Sequence, residues 1–192
     1  MDVTVIVTTW GGDEWDARGH ATAQQHGAWH HHETNDVSAG GARNRAVDDI
    51  RPQGFICFLD ADDSLAPGYL KAMWGACEHE RQLLTPALAL GDSKPVTFSN
   101  RDILNGMNPC PIGTLIHRDL FDEVAGFRDE PAYEDYSMFQ RAVLIGAEIR
   151  FVPEAVYLAA HNPRGRNSTV KNPKQLVQQI WEDNQRWLQQ RA

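Results

Sequence analysis

The sequence contains little cysteine and no long apolar stretch. Its three cysteines are scattered over 192 residues, which excludes a disulfide framework and a cysteine-based zinc cluster. No apolar run approaches the roughly 20 residues that a membrane-spanning helix needs, so we expect no transmembrane segment. The first residues also lack the basic n-region and the small-residue cleavage site of a secretion signal, and we therefore expect a cytoplasmic protein.

Positive charge is scarce as well. The chain has 18 Lys and Arg against 26 Asp and Glu, and its formal net charge is −8. Nucleic-acid binding that ignores base sequence relies on basic side chains that neutralise phosphates, so the charge argues against bulk nucleic acid as a partner. A phosphate-bearing ligand stays compatible with this charge, because a bound divalent cation reverses the local field.

Short β-rich runs alternate with helical patterns along the chain, which is typical of an α/β fold. Ser38 is a predicted N-cap for a helix through Ile50, and Pro67 predicts the first turn of a helix that runs to about Glu80. The predicted strands are residues 3–9, 27–33, 55–59, 85–90, 96–98, 112–117, 148–152 and 155–160. The other predicted helices are residues 13–25, 101–107, 118–125, 134–145 and 174–190.

The most informative segment is the apolar strand 55–59 with the acidic residues Asp60, Asp62 and Asp63 directly after it. Charge begins at the carboxyl end of a buried strand, the edge where open α/β sheets bind ligands. In an extended backbone Asp60 and Asp62 point to the same side. Two converging carboxylates repel each other unless a cation such as Mg²⁺ or Mn²⁺, completed by a diphosphate, lies between them. A solvated acidic turn, with Asp63 or Ser64 capping the next helix, is the alternative.

Four segments, in this order, resemble glycosyltransferase family 2, whose members have the GT-A fold. They are VTVIVTT at 3–9, SAGGARN at 38–44, FLDADD at 58–63, and GTLI at 113–116 with FDEVAGF at 121–127 and Glu134-Asp135. The third segment resembles the metal-binding Asp-x-Asp motif of that family. The similarity covers residues 2 to 161.

The resemblance implies a single Rossmann-like GT-A domain with a mostly parallel central sheet flanked by helices. This domain would occupy residues 1–170, with a nucleotide-binding part at about 1–65 and an acceptor-side part at about 66–170. A C-terminal helix at 171–192 would pack on the core, or form a surface for a partner or a homo-oligomer. The implied activity is a metal-dependent, inverting hexosyltransferase that uses Mn²⁺ or Mg²⁺ and a nucleotide-sugar donor, with UDP as the family expectation. The acceptor is a glycan, protein, lipid or small molecule, and the sequence does not choose.

The same resemblance implies roles for single residues. Asp62 is the expected direct metal ligand, and Asp60 supports the metal or contacts the donor ribose. His161 completes the metal shell or contacts the diphosphate. Asp135 is the expected general base that takes the proton of the acceptor hydroxyl. Further donor-binding residues are expected at Thr8, Glu33, Arg43, Asn44, Ala61, Arg164 and Arg166, and acceptor-side residues at Gly113 and Glu134.

Several of these residues have structural alternatives. Asp135 also suits the first turn of a helix, where a carboxylate stabilises the helix dipole. Arg43 fits a helix-surface pairing, and the loop with Arg164 fits an ordinary exposed loop. The acidic residue that contacts the nucleobase in the family is replaced here by Glu33 or Asp36, and the sequence leaves this choice open.

Two other functions share parts of the pattern. A sugar-phosphate nucleotidyltransferase would have the same α/β plan and aspartate pair, but it needs a basic residue in a glycine-rich phosphate loop. Here Gly11 and Gly12 are followed by acidic residues, which weakens that interpretation. A catalytically silent nucleotide-sugar-binding module is the non-enzyme alternative, and the presence of Asp135 argues against it.

Overall fold

In a computed structural model the chain forms two mixed β-sheets with helices against them. The structure describes residues 2–9, 29–33, 38–91, 93–96, 102–160 and 166–191. The strands are β1 (Val3–Thr9), β2 (Trp29–Glu33), β3 (Phe55–Asp60), β4 (Ser64–Leu65), β5 (Gln82–Leu90), β6 (Ile116–His117) and β7 (Glu148–Ala159). The helices are α1 (Ala39–Ile50), α2 (Tyr69–Ala76), a 3-10 helix (Asp102–Asn105), α3 (Arg118–Glu123), α4 (Glu134–Leu144), α5 (Arg166–Thr169) and α6 (Pro173–Gln189).

The first sheet has the strand order β2-β1-β3-β6. β1 is parallel to both β2 and β3, and the short β6 pairs antiparallel with β3. The middle of β1 and the whole apolar part of β3 are buried, as expected for central parallel strands. The predicted α/β class is confirmed. The parallel register places Thr8 opposite Asp60, so the carboxyl ends of β1 and β3 lie side by side.

The second sheet has the order β4-β7-β5. The sequence predicted two strands at 148–152 and 155–160, with Pro153 between them. The structure instead has one strand, in which Val152 pairs with Pro86 and Val156 with Ala87. The intervening residues form an irregularity in the ladder, which is where a proline is tolerated within a sheet. A bridge from Leu84 in β5 to residue 115, just before β6, joins the two sheets.

The helix boundaries follow local sequence in some places and depart from it in others. Ser38 caps α1 as predicted, accepting the N–H of Gly41 at 3.0 Å. α2 begins at Tyr69 rather than at Pro67, because Gly68 adopts a left-handed conformation at its N-cap, and it ends at Ala76 rather than near residue 80. The predicted helix 101–107 is a 3-10 helix, and the predicted strand 112–117 contains only the two residues of β6. The predicted elements at 13–25 and 97–98 lie outside the described residues.

The C-terminal helix packs on the domain. Ile180 of α6 is buried in the core. The buried Asn184 donates hydrogen bonds to the backbone oxygen of Ser137 at 3.1 Å and to Oε1 of Gln140 at 2.9 Å, both in α4. Within the described ranges, no helix has both the length and the apolar character that a bilayer crossing requires.

Candidate active site

The carboxyl end of β3 is a tight acidic turn. The N–H of Asp63 donates to the backbone oxygen of Asp60 at 3.0 Å, so the strand ends at Asp60. The two-residue alternation of a strand therefore does not govern the direction of Asp62, contrary to the sequence-based argument. The turn still gathers three carboxylates: burial raises the pKa of Asp63 to about 7, and the charges of Asp60 and Asp62 add to the rise.

Asp63 holds β7 against this turn. Its Oδ2 accepts the hydroxyl hydrogen of Tyr157 at 2.6 Å, and its Oδ1 accepts the N–H of Ala160 at 2.7 Å. The expectation that Asp63 caps a helix is wrong, because the next element is the strand β4 and both oxygens bind the end of β7. Sequence reasoning missed this contact, since Asp63 and Tyr157 are 94 residues apart.

Arg43 of α1 lies between the two halves of the site. Its Nη2 donates to Oδ1 of Asp60 at 2.5 Å, and its Nη1 donates to Oε1 of Glu134 at 2.6 Å. Burial acts to lower the pKa of Arg43, but the charges of Asp60 and Glu134 raise it overall. Arg43 is therefore a permanent buried cation that ties the end of β3 to the start of α4. The sequence had placed it beside the nucleotide, and it did not reveal the partner Glu134.

Asp135 lies in the first turn of α4 and keeps part of its surface exposed. Its Oδ1 accepts the N–H of Tyr136 at 2.7 Å, and its Oδ2 accepts Nδ2 of Asn108 at 3.0 Å. Burial raises the pKa of Asp135 to about 7; the charge of Glu134 adds to the rise, and that of Arg43 opposes it. The residue thus has the helix-terminal contact of the structural alternative and also a pKa suited to proton transfer near neutral pH.

Two predicted site residues are engaged with the protein itself. The carbonyl of Gly113 accepts the hydroxyl hydrogen of Tyr69 at 2.8 Å, and a Cβ on this glycine would lie 2.3 Å from the ring of Tyr157. The amide of Asn44 pairs with the backbone of Phe127 in both directions, at 2.8 and 2.9 Å. Both residues therefore fix backbone segments around the acidic turn.

The structure describes four of the other predicted donor-side residues. Thr8 is half-buried at the end of β1, and Ala61 is half-buried in the acidic turn. Glu33 ends β2 opposite Thr9, and Arg166 begins α5. His161 and Arg164, as well as Asp36, fall in parts of the chain that the structure does not describe.

The donor chemistry of the acidic turn suits a hard divalent cation. Carboxylate oxygens are the ligands that Mg²⁺ and Mn²⁺ prefer. Asp60 binds Arg43 through one oxygen while its side chain stays 38% exposed, and Asp62 is half-buried. These two residues fit as ligands, whereas both oxygens of Asp63 are already occupied.

A separate group of possible ligands lies at the opposite end of β3. Among the described residues, Glu80, His117 and Asp119 have ligand atoms within 4.8 Å of one another. His117 pairs with Phe55 at the start of β3, and its Nδ1 accepts the N–H of Asp119 at 3.3 Å as the cap of α3. This cap accounts for the approach of Asp119 to His117, and Glu80 lies 3.6 Å from Nε2 of the same imidazole.

The model of the family described as Glycosyl transferase family 2 matches residues 19–126, more than half of the chain. The chain belongs to this family. The predicted membership of family 2 is thereby confirmed. The match includes α1 and the acidic turn of this family 2 member, and it ends before Asp135.

Solved structures support the same fold for this family 2 chain. Residues 1–349 of S. aureus TarS, in complex with UDP-GlcNAc, are 15% identical with a TM-score of 0.68, over 94% of this chain and 65% of that one. The mannosyltransferase PcManGT from Pyrobaculum calidifontis, in complex with GDP-Man and Mn²⁺, is 16% identical with a TM-score of 0.66, over 96% and 64%. A longer TarS structure is 16% identical with a TM-score of 0.66, over 85% and 37%. The chain thus spans between about a third and two thirds of these proteins. A comparison with curated proteins gives no match.

Proposed function

We propose that this chain transfers a sugar from a nucleotide-sugar to an acceptor hydroxyl, in a metal-dependent reaction that inverts the anomeric configuration. The observation that carries the proposal is the placement of two kinds of carboxylate around Arg43. On one side is the acidic turn with Asp60; on the other is Asp135, next to Glu134. The charge of Asp60 contributes to the raised pKa of Asp135, so the two carboxylates are close enough to interact electrostatically.

The donor side of the proposal uses the carboxyl edge of β1 and β3. Asp60 and Asp62 would hold Mn²⁺ or Mg²⁺, with His161 as a further predicted ligand. When bound, the cation offsets the charge that develops on the leaving diphosphate. Arg43 keeps Asp60 in place through its ion pair and does not itself face the diphosphate in this scheme.

The remaining donor contacts are proposed at the residues that the family resemblance predicted. They are Thr8, Glu33, Ala61, Arg164 and Arg166. The complexes of TarS with UDP-GlcNAc and of PcManGT with GDP-Man support a nucleotide-sugar, and they differ in the base. The UDP-sugar predicted from the sequence is therefore to be tested against a GDP-sugar.

The proton-transfer step uses Asp135. The acceptor oxygen attacks the anomeric carbon, its proton passes to the Asp135 carboxylate, and the bond to the diphosphate oxygen breaks with its electron pair on that oxygen. Asn108 and the N–H of Tyr136 hold the carboxylate in position. A single displacement of this kind inverts the anomeric configuration. Membership of family 2 favours this reaction over nucleotidyl transfer. The cytoplasmic location of the protein stays a prediction from the sequence.

The test is a binding and turnover screen with UDP-, GDP- and dTDP-sugars, with and without Mn²⁺ or Mg²⁺. We expect metal-dependent binding that Asp62→Ala abolishes, while Asp135→Asn binds the donor normally and loses turnover. Asp48→Ala, an exposed carboxylate on α1, is the matched control and should behave like the wild type. Donor binding that neither metal nor Asp62→Ala affects would contradict the proposal. Reaction of a nucleoside triphosphate with a sugar phosphate would establish nucleotidyl transfer instead.

A further inference from the structure

A groove lies between the 3-10 helix and α6, with Tyr136 of α4 in its lining. Its volume is about 510 Å³, within the range of roughly 300–1,000 Å³ that is common for small-molecule sites. Its lining combines apolar, aromatic and hydrogen-bonding side chains. The residues that matter here are Leu104, Asn105, Tyr136, Lys174, Gln178 and Trp181.

The groove adjoins the predicted base. Tyr136 lines it and directly follows Asp135, whose Oδ1 accepts the Tyr136 N–H. On the other wall, Gly106 lines the groove two residues before Asn108, which donates to Oδ2 of Asp135. Each wall of the groove is therefore close in sequence to a hydrogen bond with one of the two carboxylate oxygens of Asp135.

The walls are held in place before any ligand binds. The Tyr136 hydroxyl and Nε2 of Gln140 both donate to the backbone oxygen of Ile103, at 3.1 and 3.0 Å, which fixes the 3-10 helix on α4. Asn184 fixes α6 on the same helix through Gln140. α4 thus positions both sides of the groove, and a preformed site costs less ordering entropy on binding.

The lining chemistry fits a sugar ring better than a lipid chain. A pyranose has apolar C–H faces that pack on an aromatic ring and a polar rim of hydroxyls. Trp181 is partly exposed beside the groove, which suits such packing. Asn105, Gln178 and Lys174 supply donors, and the carboxamides also supply acceptors, for the hydroxyl rim. A slot for an alkyl chain would need a continuous apolar lining, which these polar side chains interrupt.

We propose that this groove is the acceptor subsite and that it takes a carbohydrate, with Trp181 as the stacking surface. Asp135 does not itself line the groove, so in this proposal the saccharide extends past Tyr136 and presents one hydroxyl to Asp135. This inference rests on the proposed function, since it names the class of acceptor for the same reaction.

The test measures saccharide binding separately from donor binding. The probes are cellobiose, maltose and N,N′-diacetylchitobiose, with dodecyl phosphate as the lipid alternative. Their binding is measured by ligand-observed NMR in the absence of nucleotide and metal. We expect at least one disaccharide to bind, with affinity reduced about 10-fold or more by Trp181→Ala and to a smaller extent by Asn105→Ala. Trp74→Ala is the matched control, because Trp74 is 48% exposed on α2.

The outcomes separate the two proposals. The proposal that the groove binds the acceptor saccharide is overturned if the wild type, Trp181→Ala and Asn105→Ala bind the disaccharides equally. It is also overturned if no disaccharide binds, or if only dodecyl phosphate binds. Circular dichroism identifies an unfolded Trp181→Ala, in which case Asn105→Ala carries the test. The donor-site variant Asp62→Ala should bind the disaccharide like the wild type. If it keeps metal-dependent nucleotide binding as well, the proposed function fails while the saccharide site stands.

Discussion

Replacing Arg43 by methionine tests the junction between the two halves of the site. The substitution keeps a long side chain and removes the charge. The side chains of Arg43 and Glu134 are only 4% and 5% exposed, so the change leaves the Glu134 carboxylate buried without this cation. Breaking a buried pair in this way costs about 3–5 kcal/mol. Asp60 adds little, because its side chain is 38% exposed and water screens it.

The same substitution should alter the pH dependence of the reaction. Asp135 accepts a proton only when it is ionised, so wild-type kcat/KM should rise with pH through about 7. The charge of Arg43 lowers the pKa of Asp135. Removing that charge raises the pKa further, and the rise in activity should shift to higher pH. Arg43→Lys keeps the charge but loses the forked geometry, so we expect a smaller shift and a loss of about 1–3 kcal/mol.

The assay pairs urea unfolding with a pH profile of nucleoside diphosphate release. Asp48→Asn, which removes a charge at an exposed position on the same helix, is the control and should change neither measurement appreciably. The reasoning is refuted if Arg43→Met unfolds within about 1 kcal/mol of the wild type and its pH profile is unchanged. Such a result would mean that neither the ion pairs nor the field of Arg43 has the effect inferred from the geometry.

Three further substitutions test other contacts, and removal of the divalent cation by EDTA tests the metal requirement. The folded pKa of Asp135, about 7, lies above its ordinary value of 3.8, so the folded state binds more protons and wild-type stability falls as pH rises between these values. Asp135→Asn removes this loss of up to about 4 kcal/mol, but it also removes a hydrogen bond, which costs about 1–3 kcal/mol. In urea unfolding, the stability of the variant relative to the wild type should therefore be greater at pH 8 than at pH 5. Gly113→Ala should lower the free energy of unfolding by about 1–3 kcal/mol, because its Cβ would lie 2.3 Å from Tyr157, whereas Gly75→Ala, with open space around it, should not. Tyr157→Phe removes a donor to Asp63 and should cost about 1–3 kcal/mol, more at pH 8 than at pH 5 because the ionised carboxylate needs that donor most. EDTA should abolish donor turnover and Mn²⁺ should restore it; turnover that persists in EDTA contradicts a metal requirement.

The parts of the fold that local sequence determines were predictable. β1 and β3 are short apolar runs, and their burial between helices is what such runs indicate. The cap at Ser38 depends on a contact three residues away, so the sequence contained it. The single strand β7 was not predictable from Pro153, because only its partner β5 reveals that the ladder tolerates an irregularity there.

The candidate site, like the fold, was predictable where it depends on residues that are close in sequence. The acidic turn is contiguous in sequence, so its residues could be named, although their directions could not. The ion pair of Arg43 with Glu134 joins residues 91 positions apart, and the bond of Asn108 to Asp135 spans 27 positions. The periodicity of apolar residues along the sequence does not reveal contacts between residues so far apart in the chain.

The first turn of α4 explains why the two proposed subsites belong to one reaction. Consecutive residues of a helix project about 100° apart, so three in a row face three directions. Glu134 points to Arg43 and through it to the acidic turn, Asp135 meets Asn108, and Tyr136 reaches the 3-10 helix that walls the groove. A displacement of α4 would therefore change the donor side, the base and the groove together. Binding at either subsite that shifts this helix must, by reciprocity of coupled equilibria, change affinity at the other.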